Sequence, residues 1–250
     1  PRDRLVRRVA IACGAAGERR RQATHPARKK PELMSSGPGE VWSWDITKLK
    51  GPVKGQLYHL YVIIDIYSRY VVGWLLATTE CGDRAKFLFE ETMEKQDVDP
   101  ELLTIHSDRG SVMTGETLHK LYDLSGLKPS FSRPRVSNDN PFSESQFKTM
   151  KYCPQYPERF GSIEDAQSFC AAFFSWYNNV HFHSGIKFLT PKSLHYGQAE
   201  RLLKHRHEVL NKAFNSKPER FVNGAPKRLT VPEAAWINRP RGNDERKSLL

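Results

Sequence analysis

Three apolar runs separated by only a few residues, followed by an abrupt change of hydrophobic period, constrain this chain more than any other feature. The runs are Val41–Thr47, Gln56–Ile66 and Tyr70–Thr78, rich in Trp, Tyr, Val, Ile and Leu. Tyr67-Ser68-Arg69 is too short a connection for anything but an antiparallel turn. From Arg84 to Gln96 the period becomes helical, with Ala85, Leu88, Phe89, Thr92 and Met93 on one face. A strand at Leu102–Ser107, a helix at Gly115–Leu124 stopped by Gly126, and a strand at Lys128–Ser132 complete the pattern. Strands alternating with helices favour parallel pairing through right-handed crossovers. The expectation is an α/β fold: a five-stranded mixed sheet flanked by helices. Beyond it, Glu144–Lys151 and Ile163–Asn179 read as helices. A further helix starts at Pro191 or Gly197 and runs to Phe214, and the proline-studded stretch from 218 to 240 reads as extended or irregular.

Charge divides the chain differently from hydrophobicity. Residues 1–40 hold ten Lys/Arg against four acids, residues 200–250 hold twelve against six, and residues 41–199 hold seventeen against eighteen. A near-neutral centre between two basic ends suits a polyanion, most simply nucleic acid, although solubility explains basic ends equally well. The organisation read from this is a basic N-terminal arm and linker over 1–39, with a short helix near 3–13, a core over 40–200, and a basic helix and tail over 201–250. The chain begins with Pro1, which reads as a truncation that lacks an N-terminal recognition domain. No stretch approaches the roughly 20 apolar residues of a membrane span. Cys13, Cys81, Cys153 and Cys170 are widely spaced, with no Cys-x-x-Cys, which argues against a zinc site or disulfide framework and for a reducing cytoplasm.

Within the core, Asp45, Asp108 and Glu144 stand out. Asp45 closes the aromatic run and Asp108 closes the apolar run Leu102–Ser107, while Glu144 opens a helix after Asn140-Pro141-Phe142-Ser143; 35 residues separate Asp108 from Glu144. Any one of them alone would read as a cap or a solvated turn. Three acids in three element contexts are what two Mg²⁺ ions need around one open pocket, the ions about 3.5–4 Å apart.

Trp44-Asp45-Ile46-Thr47, His106-Ser107-Asp108-Arg109-Gly110-Ser111 and the run from Arg133 to Glu144 resemble the DDE insertion-sequence transposases. So do Tyr177-Asn178-Asn179, His183-Ser184-Gly185 and Leu189-Thr190-Pro191. That family has a retroviral-integrase catalytic core with an RNase H-like fold, and the likeness covers about residues 40–200. It implies Mg²⁺-dependent cleavage of DNA by water, then attack of the freed 3′-hydroxyl on target DNA. Mn²⁺ would substitute, and Asp45, Asp108 and Glu144 would be the metal ligands. Strand transfer at two element ends further implies at least a homodimer on DNA, working in the bacterial cytoplasm at the nucleoid. The competing functions are an RNase H-like nuclease without joining, and a non-catalytic DNA-binding remnant.

Other residues carry weaker expectations. Lys148 and Lys151 lie four and seven residues after Glu144, on one helical face, and read as DNA-backbone contacts. A Glu144–Lys148 surface ion pair is the alternative. Arg109 and Asn138 are also candidate DNA contacts, and Asp139 could line the same loop. Asn140 reads as a helix cap with Pro141 in the first helical position. Asp65 reads as a turn cap or partner of Arg69 rather than a fourth ligand. His181 and His183 read as hydrogen-bonded rather than metal-bound, and Trp42 and Trp44 as packed beneath a helix.

Overall fold

The structure, a computed structural model, describes residues 29–134 and 136–240. The helix expected near 3–13 lies outside them. Strands β1 (Leu33–Ser35), β2 (Val41–Lys50), β3 (Leu57–Asp65) and β4 (Val71–Ala77) come first, followed by α1 (Gly82–Gln96). Then β5 (Thr104–Ser107), α2 (Glu116–Ser125) and β6 (Lys128–Phe131) alternate. The chain continues through α3 (Pro141–Lys151), α4 (Ile163–Asn179), α5 (Pro191–His195), α6 (Ala199–Ser216) and β7 (Ala235–Ile237).

The five-stranded sheet has the order β4-β3-β2-β5-β6. The pairs β2–β3 and β3–β4 are antiparallel, and β2–β5 and β5–β6 are parallel. Both faces are covered, and strand alternation decides which residue faces which layer. Trp42 and Trp44 point to one side with Tyr61 and Ile63, where they meet Leu88 and Phe89 of α1 and Leu118 and Tyr122 of α2. Trp44 stands edge-on to Phe89 with ring centroids 5.2 Å apart, so the tryptophans lie beneath helices as expected. On the other side Leu60, Val62 and Ile64 pack against Phe147 and Met150 of α3 and against Cys170, Phe173 and Tyr177 of α4.

Three departures from the sequence expectation have physical causes. First, β2 does not end at Thr47. Its ladder with β3 runs on to Lys50↔Leu57, and Leu49 is fully buried in the second core, so Asp45 lies inside the strand rather than closing it. Second, residues 35–39, expected as a linker, are pinned. Leu33–Ser35 pairs with Ala235–Ile237, and the Gly39 N–H, presented by a left-handed backbone (φ 81°), donates to Asp65 at 2.8 Å. Gly, Pro and Ser mark a tight turn as readily as a slack one. Third, the helix expected from Pro191 or Gly197 is two helices, because Gly197 takes φ 70° between them. Among the described residues no helix is long and apolar enough to cross a membrane.

Candidate active site

Strand register brings the two aspartates together. The parallel ladder pairs Val41↔Thr104 through Trp44↔Ser107, so the next residues, Asp45 and Asp108, lie side by side where β5 ends. In the same way the β5–β6 ladder ends at Ser107↔Phe131, which sets Ser132 beside Asp108. The Ser132 hydroxyl donates to Asp108 Oδ1 at 2.7 Å. Both aspartates line an open cleft of about 650 Å³ whose other walls include Glu80, Arg109, Gly110, Ser132, Arg133 and Val136.

Glu144 arrives by a different route. Ser43, Asp45 and Thr47 occupy the face of β2 opposite the tryptophans, and α3 lies along that stripe. Ser43 Oγ lies 2.8 Å from Ser143 Oγ, and Lys151 Nζ donates to Thr47 Oγ1 at 2.6 Å. Eight helical residues rise about 12 Å and four strand residues about 13 Å, so helix and strand stay in step between these contacts. Asp45 falls midway, beside the helix that bears Glu144 near its start and Lys148 and Lys151 in its last turn. Asn140 takes the N-cap position with Pro141 following, but its side chain makes no cap bond. Its Oδ1 instead accepts from Ser43 Oγ at 2.5 Å, and its amide donates to the Trp44 carbonyl at 3.4 Å. The expected cap is therefore a clamp onto β2.

The electrostatics report the crowding. The Asp45 carboxyl is pushed up to about 7, mainly by burial, and the charges of Asp108 and Glu144 add to the rise. A bond from the Ile46 N–H, at 2.8 Å to Oδ1, and the Lys151 ammonium pull the other way. Burial in turn lowers Lys151, while Asp45 opposes that shift. Hard carboxylate oxygens of like charge, held in one open cleft, are a donor set suited to a divalent cation. Glu144 is not part of the cleft lining, and among the described residues no three His, Cys, Asp or Glu side chains stand close enough to share an ion. The structure thus brings Asp45 and Asp108 together and holds Glu144 within electrostatic reach of Asp45.

The remaining expected contacts vary. Lys148 is exposed, and none of the four ion pairs among the described residues joins it to Glu144. Arg109 Nε donates to the Ser132 carbonyl at 3.0 Å, with the guanidinium 5.1 Å from the Phe131 ring centre. Asn138 is exposed in a short 3₁₀ turn at Ser137–Asp139. Asp139, expected to line the loop, is fully buried. It accepts from the Arg133 N–H, Nε and Nη2 at 3.0, 2.9 and 3.0 Å, and from Asn238 at 2.7 Å. Asp65 caps its turn through the Ser68 N–H and hydroxyl rather than pairing with Arg69. His183 Nδ1 accepts from the Gly185 N–H at 3.2 Å.

Sequence reasoning missed the supporting residues: Ser43, Thr47, Ser132 and His106. Period-two alternation from Asp45 would have found Ser43 and Thr47. His106 is buried; its Nε2 donates to the Asp139 carbonyl at 2.7 Å, which leaves Nδ1 to accept from Ser130 Oγ at 3.0 Å. Burial holds its pKa below the ordinary histidine value.

With this geometry in hand, two family models described as integrase core domain match the chain, over residues 35–137 and 125–191. A transposase of insertion element IS904 from Lactococcus lactis is 29% identical over 161 residues, 64% of this chain and 62% of the relative. The putative transposase of IS986/IS6110 from Mycobacterium tuberculosis is 26% identical over 216 residues, 80% and 76% of the two chains. The transposase InsF of IS3A from Escherichia coli is 28% identical over 165 residues, 64% of this chain and 55% of its own length. The chain thus spans less than two thirds of the first and last of these relatives. Among solved structures, a chain of a simian T-cell lymphotropic virus intasome in complex with a PP2A regulatory subunit matches with TM-score 0.50 and 16% identity. That match covers 68% of this chain and 60% of that one. It supports the fold alone, an RNase H-like mixed sheet flanked by helices.

Proposed function

This chain belongs to the integrase-core family of insertion-sequence transposases, and from that premise we propose that it cuts DNA at the ends of a mobile element and joins the freed 3′-hydroxyl to target DNA. The observation that carries the reading is the meeting of Asp45 and Asp108 in one cleft, just beyond the Trp44↔Ser107 pair that ends a parallel ladder, with Glu144 close enough to raise the Asp45 pKa. Asp45 and Asp108 would hold Mg²⁺, or Mn²⁺ in its place, and Glu144, which stands apart from them without the ion, would complete a two-ion site when the metal binds. Bound there, the metal supplies charge neutralisation at the phosphoryl group and an acidified water.

The chain's own residues do the rest. Ser132 fixes the Asp108 carboxylate by donating to Oδ1, which leaves its other oxygen for the cleft. The Ser43–Asn140–Ser143 clamp holds the start of α3 against β2, so the distance from Glu144 to Asp45 is set by packed secondary structure rather than a loop. Lys151, tied to Thr47, offsets part of the negative charge at Asp45. Lys148, exposed on the same helix, and Arg109 and Asn138 at the cleft's rim are the proposed contacts to the DNA backbone. A reaction at two element ends requires at least a dimer on DNA, in the cytoplasm at the nucleoid.

The test is incubation of labelled element-end DNA with Mg²⁺ or Mn²⁺. Joined products are expected; nicks without joining would reduce the function to a nuclease, and retention without reaction to a binding remnant. A second expectation concerns Lys148→Ala. DNA affinity should fall, and the slope of log affinity against log salt should shrink by about one phosphate contact. An unchanged slope in filter binding would remove Lys148 from the DNA surface.

A further inference from the structure

Beside the first turn of α3 lies a second cavity of about 330 Å³, lined by Arg69, Phe142, Ser145, Tyr177 and His183 among others; it shares no residue with the carboxylate cleft. Arg69 ends the β3–β4 turn in a left-handed backbone conformation (φ 66°), which few non-glycine residues adopt. That turn carries the guanidinium inward, 4.1 Å from the Phe142 ring centre, and Nη1 donates to the Ile66 carbonyl. Neither contact is a counter-charge. None of the four ion pairs among the described residues involves Arg69. The acid it senses, Asp65, already accepts from the Ser68 N–H, the Ser68 hydroxyl and the Gly39 N–H.

A largely buried cation whose nearby acid is already engaged by other donors is costly, and a guanidinium has five N–H donors to satisfy. Burial lowers the Arg69 pKa to about 10. Burial and the Arg69 charge together bring His183 down to about 4, so it is neutral at pH 7. Because His183 Nδ1 accepts from the Gly185 N–H, its proton sits on Nε2, which makes that nitrogen a donor. The Ser145 and Tyr177 hydroxyls add two more polar groups, and no carboxylate lines the cavity. The first turn of α3, which contributes Pro141 and Phe142 to the wall, turns its positive dipole end toward the same region.

We propose that this cavity binds a phosphate group through Arg69, with Ser145 and His183 as supporting donors, and that the phosphate is one from the backbone of a DNA strand crossing the start of α3. The DNA source rests on the transposase reading; the anion site does not. Ser145 follows Glu144 directly, so a strand held here is gripped within one helical turn of the proposed catalytic carboxylate.

Thermal unfolding of the whole chain in sodium phosphate, compared with sodium chloride at equal ionic strength and with chelator present, tests the anion site. Phosphate stabilises many proteins by exclusion, so the readout is the difference between variants. The wild type should gain a phosphate-specific rise in midpoint that Arg69→Met and Ser145→Glu both lose. Ser145 is exposed, so Ser145→Glu places a carboxylate at the mouth without unpacking Arg69. Equal phosphate increments in wild type and Ser145→Glu would overturn the site, whatever Arg69→Met does to folding. Anisotropy of a labelled single-stranded 12-nucleotide probe supplies the second arm. Ser145→Glu should weaken binding about tenfold, and inorganic phosphate should compete with the probe on the wild type. A lost phosphate increment with unchanged oligonucleotide affinity would assign the site to a free anion and overturn the DNA source. Both arms run without metal and should read the same in Asp45→Asn, so they stand or fall separately from the carboxylate site.

Discussion

Asp45→Asn is expected to eliminate cleavage and joining while leaving the protein at least as stable as the wild type. The substitution keeps the side-chain shape and removes one negative charge from a place already crowded by Asp108 and Glu144. Loss of a metal ligand weakens the charge neutralisation that the ion would supply at the phosphoryl group, a loss on the order of 10³-fold in rate. A merely structural carboxylate would lose stability instead, and the linkage makes the two roles separable. In the metal-free protein Asp45 titrates near 7, well above its unfolded value of about 4. Its protonated form is therefore the one that folding favours. That contribution is complete below about pH 4 and is lost as pH rises toward 7. Asn is neutral throughout, so with chelator present the variant should unfold at a higher temperature than wild type at pH 8, and near the same temperature at pH 4. Adding Mg²⁺ should stabilise the wild type at pH 8 and leave Asp45→Asn largely unmoved. Asp108→Asn and Glu144→Gln should likewise abolish joining while DNA is still bound. Retained joining in any one of the three, measured on labelled element-end DNA, would sink the carboxylate assignment.

Local pattern was enough to read the sheet, because each strand states its own period and each helix its own apolar face. Val41–Lys50 shows why boundaries are harder: Leu49 ends up buried only because α3 and α4 cover that face, a tertiary fact absent from the local pattern. The pairing of β1 with β7 joins residues about 200 apart, and neither three-residue segment has a period to detect. At the site, spacing picked out the three acids, but spacing cannot supply strand register. Register is what sets Ser132 against Asp108 and Ser43 against Ser143. Asn140 illustrates the same limit. A residue type favoured at caps, followed by Pro141, predicts a cap. The Ser43 hydroxyl and the Trp44 carbonyl, nearly a hundred residues earlier, take its side chain instead.

Asp139→Ala should be among the most destabilising single substitutions in the loop that links the two halves of the site. Asp139 is buried, and its carboxylate gathers three donors from Arg133 and one from Asn238, just after β7. Its carbonyl also receives the His106 Nε2 proton, two residues before Asp108. Truncation removes the one acceptor that gathers the Arg133 fork, the Arg133 N–H and the Asn238 amide, and it leaves a gap where the buried carboxylate sat. A fall in thermal midpoint on the order of 5 °C or more is expected for a chain of this size. The charge itself adds an acid dependence. Bonds from the Arg133 side chain hold the Asp139 carboxyl well below the ordinary carboxylate range. A depressed folded-state pKa stabilises fully above the unfolded value of about 4 and is lost as pH falls below it. Wild type should therefore lose stability more steeply than Asp139→Asn between pH 5 and pH 2, and the two curves should converge at the acid end. Because the same loop runs from Ser132 to Asn140, Asp139→Ala should also slow joining at a temperature where the variant remains folded. Arg133→Lys keeps the charge but not the forked geometry, and should fall between the two. Parallel acid profiles for wild type and Asp139→Asn in scanning calorimetry would show that the Arg133 pairing contributes nothing to holding the loop.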